Sequence, residues 1–160
     1  MRVGIVSDTH GHVALTRNAV RMFESLEVEH VLHCGDIGST DIVALFTQWP
    51  TDFVFGNCDT DQKPLRAAIK AAGLTCQGEF GDFELEGSRI ALVHSHDRRR
   101  FAGAVGSGRY DIVCYGHTHV AEIAQREDTL LINPGAVFRA NPHTVALLVL
   151  PERKATIVAL

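Results

Sequence analysis

The sequence predicts an α/β fold in which two β-sheets pack face to face with helices outside them. Two observations lead to this prediction. The first half alternates short apolar runs with helical patterns, as βαβ units do, and the second half is richer in strands. The length of 160 residues suits a single domain spanning residues 1–160, because two halves would each lie near the lower size limit for an independent core.

Three strands and three helices are predicted in the first half. Apolar residues at helical spacing indicate the first helix, and Ser39 is a suitable N-cap for the second. Pro64 suits the first turn of the third helix, and Gly73 is a suitable stop. The predicted strands are Arg2–Val6, His30–Cys34 and Asp52–Phe55, and the predicted helices are Val13–Leu26, Thr40–Gln48 and Pro64–Gly73.

The second half contains seven apolar or alternating runs that predict strands. Gly87-Ser88 and Pro151-Glu152 suit turns between paired strands, and a short helix is predicted over Asp97–Gly106. The predicted strands are Phe83–Leu85, Ile90–His94, Ile112–Tyr115, Val120–Gln125, Leu130–Asn133, Val145–Leu150 and Ala155–Val158.

Composition excludes several classes of function. The net charge of −4 argues against a protein that binds a nucleic acid polymer through bulk positive charge. No apolar run approaches the length of a membrane span, and the N-terminus does not resemble a signal peptide. The four cysteines are widely spread without a CxxC pair, so we expect reduced thiols and a cytoplasmic protein.

Residues able to bind metals follow five of the predicted strands, and the chain holds nine histidines. Because ligands in α/β proteins bind beyond the carboxyl ends of strands, we expect these five segments to gather at one edge. The segments are Ser7-Asp8-Thr9-His10, Gly35-Asp36, Gly56-Asn57-Cys58-Asp59, His94-Ser95-His96 and Gly116-His117-Thr118-His119.

The mixture of carboxylate, amide and imidazole groups suits manganese, iron, zinc, nickel or cobalt better than calcium. Seven candidate ligands exceed the needs of one tetrahedral site and are enough for two metal ions that share a carboxylate. The seven candidates are Asp8, His10, Asp36, Asn57, His94, His117 and His119.

These five segments, in this order, resemble the motifs of the calcineurin-like metallophosphoesterases, and the resemblance runs from residue 3 to about residue 138. Within that superfamily, Gly56-Asn57-Cys58-Asp59 and the run from Ile132 to Val137 resemble the small phosphodiesterases of the YfcE type. The resemblance implies a four-layer α/β/β/α sandwich of two mixed β-sheets flanked by helices.

The resemblance also implies a role for each candidate ligand. Asp8, His10 and His119 would hold one divalent ion, Asn57, His94 and His117 would hold a second, and Asp36 would bridge them. A hydroxide between the two ions would attack phosphorus. Manganese (Mn2+) is the expected metal, with Ni2+, Fe2+, Zn2+ and Co2+ as alternatives.

The expected function is therefore a dimetal-dependent phosphodiesterase acting on small phosphodiesters. A phosphomonoesterase is the first alternative, because the same metal core attacks both ester types. A Vps29-like non-catalytic scaffold is the second, although the chain retains every proposed ligand. The expected partner is a small phosphate-ester substrate, and exposed edge strands leave a homo-oligomer open.

Cys58 departs from the superfamily pattern, because many members have histidine at this position. A neutral thiol is a weak proton donor, so the leaving group needs another source, which could be water or His96. His96 lies two residues from His94, which on a strand would point it the same way. The candidate catalytic residues are Asp36, Cys58 and His96. Ser95 is a second departure, because glycine commonly follows the corresponding histidine.

Several other polar residues have structural interpretations. His12 is expected either to cap the first helix or to contact substrate, and Asp59 to support its loop. The run Arg98–Arg100 could approach a phosphodiester, but a solvated helix face is favoured. The turn Asn133-Pro134-Gly135 is expected to support the histidine segment. His30, His33 and His143 are interpreted as ordinary surface or strand residues.

Overall fold

A computed structural model describes residues 1–160 and contains two β-sheets and four helices. The chain begins with alternating strands and helices and ends in strands, as the sequence predicts. In chain order the elements are β1 (Arg2–Val6), α1 (Val13–Ser25), β2 (His30–His33), α2 (Thr40–Ala44), β3 (Thr51–Val54), α3 (Gln62–Ala71), β4 (Thr75–Gly78), β5 (Phe80–Leu85), β6 (Ser88–Val93), α4 (Arg98–Gly106), β7 (Ile112–Tyr115), β8 (Ala121–Arg126), β9 (Thr129–Pro134), β10 (Thr144–Val149) and β11 (Lys154–Ala159).

Both sheets contain parallel and antiparallel pairs. The first has the order β11-β10-β1-β2-β3-β4, in which β1 to β4 run parallel and β10 and β11 run antiparallel to their neighbours. The second has the order β5-β6-β7-β9-β8, with a parallel centre and antiparallel edge strands. The predicted architecture of two mixed sheets is confirmed.

Three apolar clusters separate the four layers. Side chains of β1 alternate between two of these clusters. Val3 and Ile5 lie in the cluster between the sheets, and Val6 lies in the cluster that includes residues of α1 to α3. A third cluster packs α4 against the second sheet through Ala104 and Val113. The two sheets therefore share one apolar interface, which fixes the strand ends of one relative to those of the other.

The helix predicted over Thr40–Gln48 ends earlier, at Ala44. Beyond it the amides of Leu45, Phe46 and Trp49 bond to carbonyls three residues back, so the chain continues as tight turns. The prediction that the Ser39 hydroxyl caps this helix is wrong, since Ser39 lies at the N-cap position but its side chain makes no capping bond.

Strand β4 was not predicted, because Thr-Cys-Gln-Gly offers no apolar run; it forms as an edge strand parallel to β3. His96 does not lie on a strand, contrary to the prediction. β6 ends at Val93, so His94 and His96 lie in the turn that follows.

No helix in the structure is both long and apolar enough to cross a bilayer.

Candidate metal centre

The five predicted segments follow the carboxyl ends of β1, β2, β3, β6 and β7. β1, β2 and β3 are parallel neighbours in the first sheet, and β6 and β7 are parallel neighbours in the second. The packing of the two sheets brings His94 of the second sheet within 4.0 Å of the Asp8 carboxylate of the first. Both sheets therefore contribute to one cluster of nitrogen and oxygen atoms.

Asp8 is fully buried, and its two carboxylate oxygens have different surroundings. Oδ2 accepts hydrogen bonds from the Ser7 hydroxyl at 2.5 Å and from the amide of His117 at 3.1 Å. Oδ1 has no hydrogen-bond partner and lies 3.0 Å from Nε2 of His119 and 3.7 Å from Nε2 of His10. One oxygen thus orients the carboxylate, and the other faces the histidines.

Asp36 repeats this arrangement. Its Oδ1 accepts a 2.8 Å hydrogen bond from the amide of Cys58, and its Oδ2 lies 3.3 Å from Nε2 of His94 and 3.6 Å from Nε2 of His10. The Asp36 carboxylate fits here because residue 56 is glycine. A Cβ at Gly56 would occupy the space of that carboxylate. Asp36 Oδ2 therefore faces histidines from both sheets.

Backbone carbonyls set the tautomers of two histidines. Nδ1 of His94 lies 2.8 Å from the carbonyl oxygen of Cys34, and Nδ1 of His119 lies 3.3 Å from that of Arg139. A carbonyl can only accept, so each neutral imidazole carries its proton on Nδ1 and presents a lone pair at Nε2. This is the arrangement found in metal-binding histidines.

The backbone of the cluster is held in an uncommon conformation. Five of the seven candidate ligands have a positive φ, which non-glycine residues seldom adopt, and such residues concentrate at functional sites. They are Asp8 (56°), His10 (45°), Asp36 (54°), His117 (83°) and His119 (59°).

Electrostatics keep both carboxylates ionised. Burial acts to raise the pKa of Asp8, but the neighbouring imidazole of His10 and the charge of His94 outweigh it and lower the pKa. Burial also opposes ionisation of Asp36, yet the imidazole of His94 and the amide of Cys58 hold its pKa well below the usual range. For His94, burial lowers the pKa but the two carboxylates raise it overall. The same negative charge that favours a proton on His94 favours a dication.

These residues fit a metal centre. Asp8, His10 and His119 form one group whose donor atoms lie within 4.8 Å of one another, and Asp8, Asp36 and His94 form a second. Two donor atoms inside these groups, Asp8 Oδ1 and His94 Nε2, are buried without a hydrogen-bond partner, an arrangement that coordination to a cation would satisfy.

The other two candidate ligands lie at the edge of these groups. The ring of His117, an exposed residue, lies 5.2 Å from that of His94. Asn57 is exposed, and its Nδ2 donates a weak 3.6 Å bond to Sγ of Cys58. Since the amide nitrogen is engaged with Cys58, the amide oxygen is the atom available as a ligand.

Cys58 and His96 also lie beside the cluster. Sγ of Cys58 groups with donor atoms of His10 and Asp36, and burial together with the Asp36 carboxylate raises the pKa of the thiol. The ring of His96 lies 5.4 Å from that of His94, and its Nδ1 is buried without a hydrogen-bond partner. The hydroxyl of Ser95 donates a 2.8 Å bond to the carbonyl of Gly116, so it ties two segments together.

The structure also places the polar residues around the cluster. His12 caps α1 by accepting a 3.2 Å bond from Leu15, as one of its two interpretations predicts. Arg98 and Arg99 are exposed on α4, as predicted for a solvated face. The Asn133 amide donates a 3.0 Å bond to Thr118 Oγ1, so this turn does support the histidine segment.

Two supporting residues have a larger role than the sequence indicated. His33 is fully buried and bonded to Thr9, and the alternation of β2, with Val31 in the helix-side cluster, would have predicted this burial. Asp59 accepts bonds from three backbone amides, those of Ile37, Gly38 and Gly56. Sequence gives no signal for these bonds, because two of the three amides lie more than 20 residues away.

Comparisons with known proteins point in the same direction. The sequence model of the "Calcineurin-like phosphoesterase superfamily domain" matches residues 1–153. Phosphodiesterase MJ0936 of Methanocaldococcus jannaschii is 34% identical over 140 residues, which is 84% of this chain and 83% of that protein.

Solved structures share the fold. A structure described as a novel archaeal phosphodiesterase has a TM-score of 0.92 and 30% identity, with all of both chains covered. YfcE, a phosphoesterase from E. coli, has a TM-score of 0.69, 20% identity and 99% coverage of each chain. Vps29 from Entamoeba histolytica has a TM-score of 0.70 and 19% identity, covering 100% of this chain and 99% of that one. The last two show similarity of fold alone.

Proposed function

The chain belongs to the calcineurin-like phosphoesterase superfamily, and from this premise we propose that it hydrolyses small phosphodiesters with the help of two divalent metal ions. The observation that carries the proposal is the pair of donor-atom groups around Asp8 and Asp36, with their buried, unpartnered Asp8 Oδ1 and His94 Nε2. Similarity to a protein named as a phosphodiesterase supports the diester specificity.

We assign Asp8, His10 and His119 to the first ion, because His119 Nε2 and His10 Nε2 lie 3.0 and 3.7 Å from Asp8 Oδ1. We assign His94, His117 and Asn57 to the second. Asp36 is the bridging ligand in this proposal, and the position of its Oδ2 between His10 and His94 supports that role.

Two divalent ions held there would supply a hydroxide nucleophile near neutral pH and offset the charge that develops on the phosphoryl oxygens. The chain's own residues hold this arrangement rigid. The amides of His117 and Cys58 orient the two carboxylates, and the carbonyl of Cys34 fixes the ring of His94. Such pre-set orientation lowers the reorganisation needed during the reaction.

We propose that His96 and Cys58 contact the substrate. His96 is half-buried and its ring lies 5.4 Å from that of His94, so its imidazole is a candidate hydrogen-bond donor beside the centre. The Cys58 thiol remains protonated at neutral pH because its pKa is raised by burial and by Asp36. It can therefore donate only a weak hydrogen bond, and His96 is the stronger of the two donors.

We propose manganese as the metal, since an oxygen and imidazole set suits it, and a cytoplasmic location, since the four free cysteines suit a reducing compartment. We also propose that residues 1–160 act as one domain, because the interface between the sheets joins strands from both halves of the chain.

The test is hydrolysis of bis(p-nitrophenyl) phosphate and p-nitrophenyl phosphate by the chelator-treated protein with and without Mn2+. We expect metal-dependent hydrolysis with the diester preferred, and a loss of roughly a hundredfold or more in kcat for Asp36→Asn. Asp52→Asn is the matched control, because the Asp52 carboxylate is bonded to His30 and Gln77 away from the cluster.

The outcomes separate the alternatives. Preference for the monoester would favour a phosphomonoesterase, and absence of hydrolysis of either ester with Mn2+ would favour a Vps29-like scaffold. Full activity of Asp36→Asn would contradict the shared-carboxylate arrangement.

A further inference from the structure

Arg139 is an exposed cation beside the candidate metal centre that the site described above does not use. Its guanidinium takes part in no ion pair or side-chain hydrogen bond of the chain. Arg100, in contrast, is paired with Glu79 at 3.0 Å, and Arg153 with Asp111 at 2.7 Å. Arg139 therefore carries a positive charge that no carboxylate of the protein neutralises.

Backbone bonds hold Arg139 at the edge of the centre. The amide of Phe138 donates a 3.1 Å bond to the carbonyl of Asp8, and that of Val137 donates a 3.2 Å bond to the carbonyl of Ser7. The carbonyl of Arg139 itself faces Nδ1 of His119 at 3.3 Å. These bonds fix the backbone of Arg139 relative to two candidate ligands, Asp8 and His119. They therefore also fix the point from which the Arg139 side chain extends.

The ring of Phe138 directs that side chain. It stacks on His12 with centroids 4.9 Å apart, and its centroid lies 6.1 Å from that of His10. The Arg139 guanidinium carbon lies 5.3 Å from the same ring, close enough for a cation–π interaction. The guanidinium thus rests over Phe138 at the edge of the centre, and its N–H donors are free to bind an anion.

There is room for such a group nearby. A cavity of about 210 Å³ is lined by His119, Asn141 and Pro142, and Asn141 lies two residues from Arg139 in the sequence. No acidic side chain lines this cavity. An anionic substituent would therefore approach without repulsion from a neighbouring carboxylate.

We propose that Arg139 is a specificity residue that binds an anionic group, a carboxylate or a phosphate, on one ester arm of the substrate. The inference rests on the proposed diesterase function and deepens it, because it names the chemical class of the substrate. Arginine suits this task, since its planar fork matches both anions with paired hydrogen bonds.

The experiment uses two p-nitrophenyl phosphodiesters that differ in one outer group. The second alcohol is glycolate in one, which carries a carboxylate, and the isosteric glycolamide in the other. We expect the metal-loaded protein to prefer the glycolate ester by about tenfold in kcat/KM, mainly through KM. Arg139→Gln should abolish the preference, and Arg139→Lys should retain part of it.

Arg126→Gln is the matched control, because it removes the same charge from an exposed residue. β8 begins at Ala121, just after His119, so Arg126 at its other end lies about 16 Å along the strand from the centre. This control should keep the tenfold preference. Equal hydrolysis of the two esters by the unaltered protein, or a preference that survives Arg139→Gln, would overturn the proposal.

Calorimetric binding separates this inference from the proposed function. It uses the two corresponding phosphonates, in which CH2 replaces the ester oxygen of the p-nitrophenyl arm so that this bond cannot be hydrolysed. Tighter binding of the carboxylate form that depends on Arg139 supports the inference even if neither ester is cleaved, in which case the diesterase proposal fails alone. Equal binding of both phosphonates overturns the role of Arg139.

Discussion

At the residue scale, one oxygen of each central carboxylate is fixed by the protein and the other is left free. Asp8 is held by Ser7 and His117 through Oδ2, and Asp36 by Cys58 through Oδ1. The free oxygens face the Nε2 atoms of His119 and His94, whose tautomers are set by backbone carbonyls. The chain thus places carboxylate oxygens and imidazole lone pairs together, as a cation site requires.

Hydrogen bonds of His33 help to hold the segments that carry Asp8 and Asp36. Its Nδ1 accepts a 3.3 Å bond from the amide of Gly35, so its proton lies on Nε2 and is donated to Thr9 Oγ1 at 3.0 Å. Thr9 in turn donates to the carbonyl of Ile37 at 3.0 Å. The chain of bonds joins the segment that carries Asp8 to the one that carries Asp36.

The burial of His33 predicts a pH dependence of stability. Burial lowers its pKa to about 3, so between pH 6.5 and 3 the unfolded chain binds a proton that the folded chain does not. Stability should therefore fall as the pH decreases through this interval, by at most about 5 kcal/mol from this residue. Urea unfolding in the presence of chelator, at pH 7.5 and 4.5, measures the effect.

The variant His33→Gln isolates that contribution. Glutamine does not titrate, so the destabilisation it causes at pH 7.5 should shrink or reverse at pH 4.5. His30→Gln is the control, because His30 lies beside the Asp52 carboxylate at the start of β2 and has no part in this chain of bonds. A destabilisation by His33→Gln that is equal at both pH values would refute the explanation.

At the element scale, the loops after β2 and β3 are joined by Asp59. This buried carboxylate accepts 2.9 Å bonds from Gly38 and Gly56 and a 3.1 Å bond from Ile37. The first loop carries Asp36 and the second carries Asn57, so Asp59 sets the spacing of residues assigned to the second ion. It acts through these loops and contacts none of the assigned donor atoms.

Replacing Asp59 should loosen both loops. Asp59→Ala leaves three amides without their acceptor and should cost about 2–4 kcal/mol of unfolding free energy. It should also weaken binding of the second Mn2+ by about tenfold or more, measured by chelator competition. Asp59→Asn keeps one acceptor oxygen and should therefore recover part of the unfolding free energy and part of the affinity for the second Mn2+.

Asp61→Ala is the control for this prediction, because Asp61 is exposed in the same loop and makes no capping bond to α3. Metal affinity that is the same for Asp59→Ala and Asp61→Ala would show that Asp59 does not position the second loop.

Sequence predicted most elements because their apolar runs are strong. β1 and β7 have the predicted bounds, whereas β4 was missed because its Thr-Cys-Gln-Gly depends on pairing with β3 rather than on its own pattern. The five ligand segments were also identified from sequence, since each follows a strand. The bonds of Asp59 and the position of Arg139 over Phe138 were not, because they depend on how distant segments pack.

At the scale of the whole molecule, the candidate centre exists only where the two sheets meet. β1 and β2 bring both carboxylates, β3 brings Asn57, and β6 and β7 bring His94, His117 and His119. The cluster between the sheets, which includes Ile5 and Leu32 of one and Leu92 and Cys114 of the other, fixes their separation. Metal binding should therefore depend on the complete sandwich rather than on either half.

The most direct test of the account is the metal content of the folded chain. Equilibrium dialysis against Mn2+ followed by elemental analysis should give two ions per chain, and Asp36→Asn should give fewer than two together with loss of diester hydrolysis. A chain that binds no more than one ion while hydrolysing the diester at full rate, or an Asp36→Asn variant that retains both ions and full activity, would contradict it.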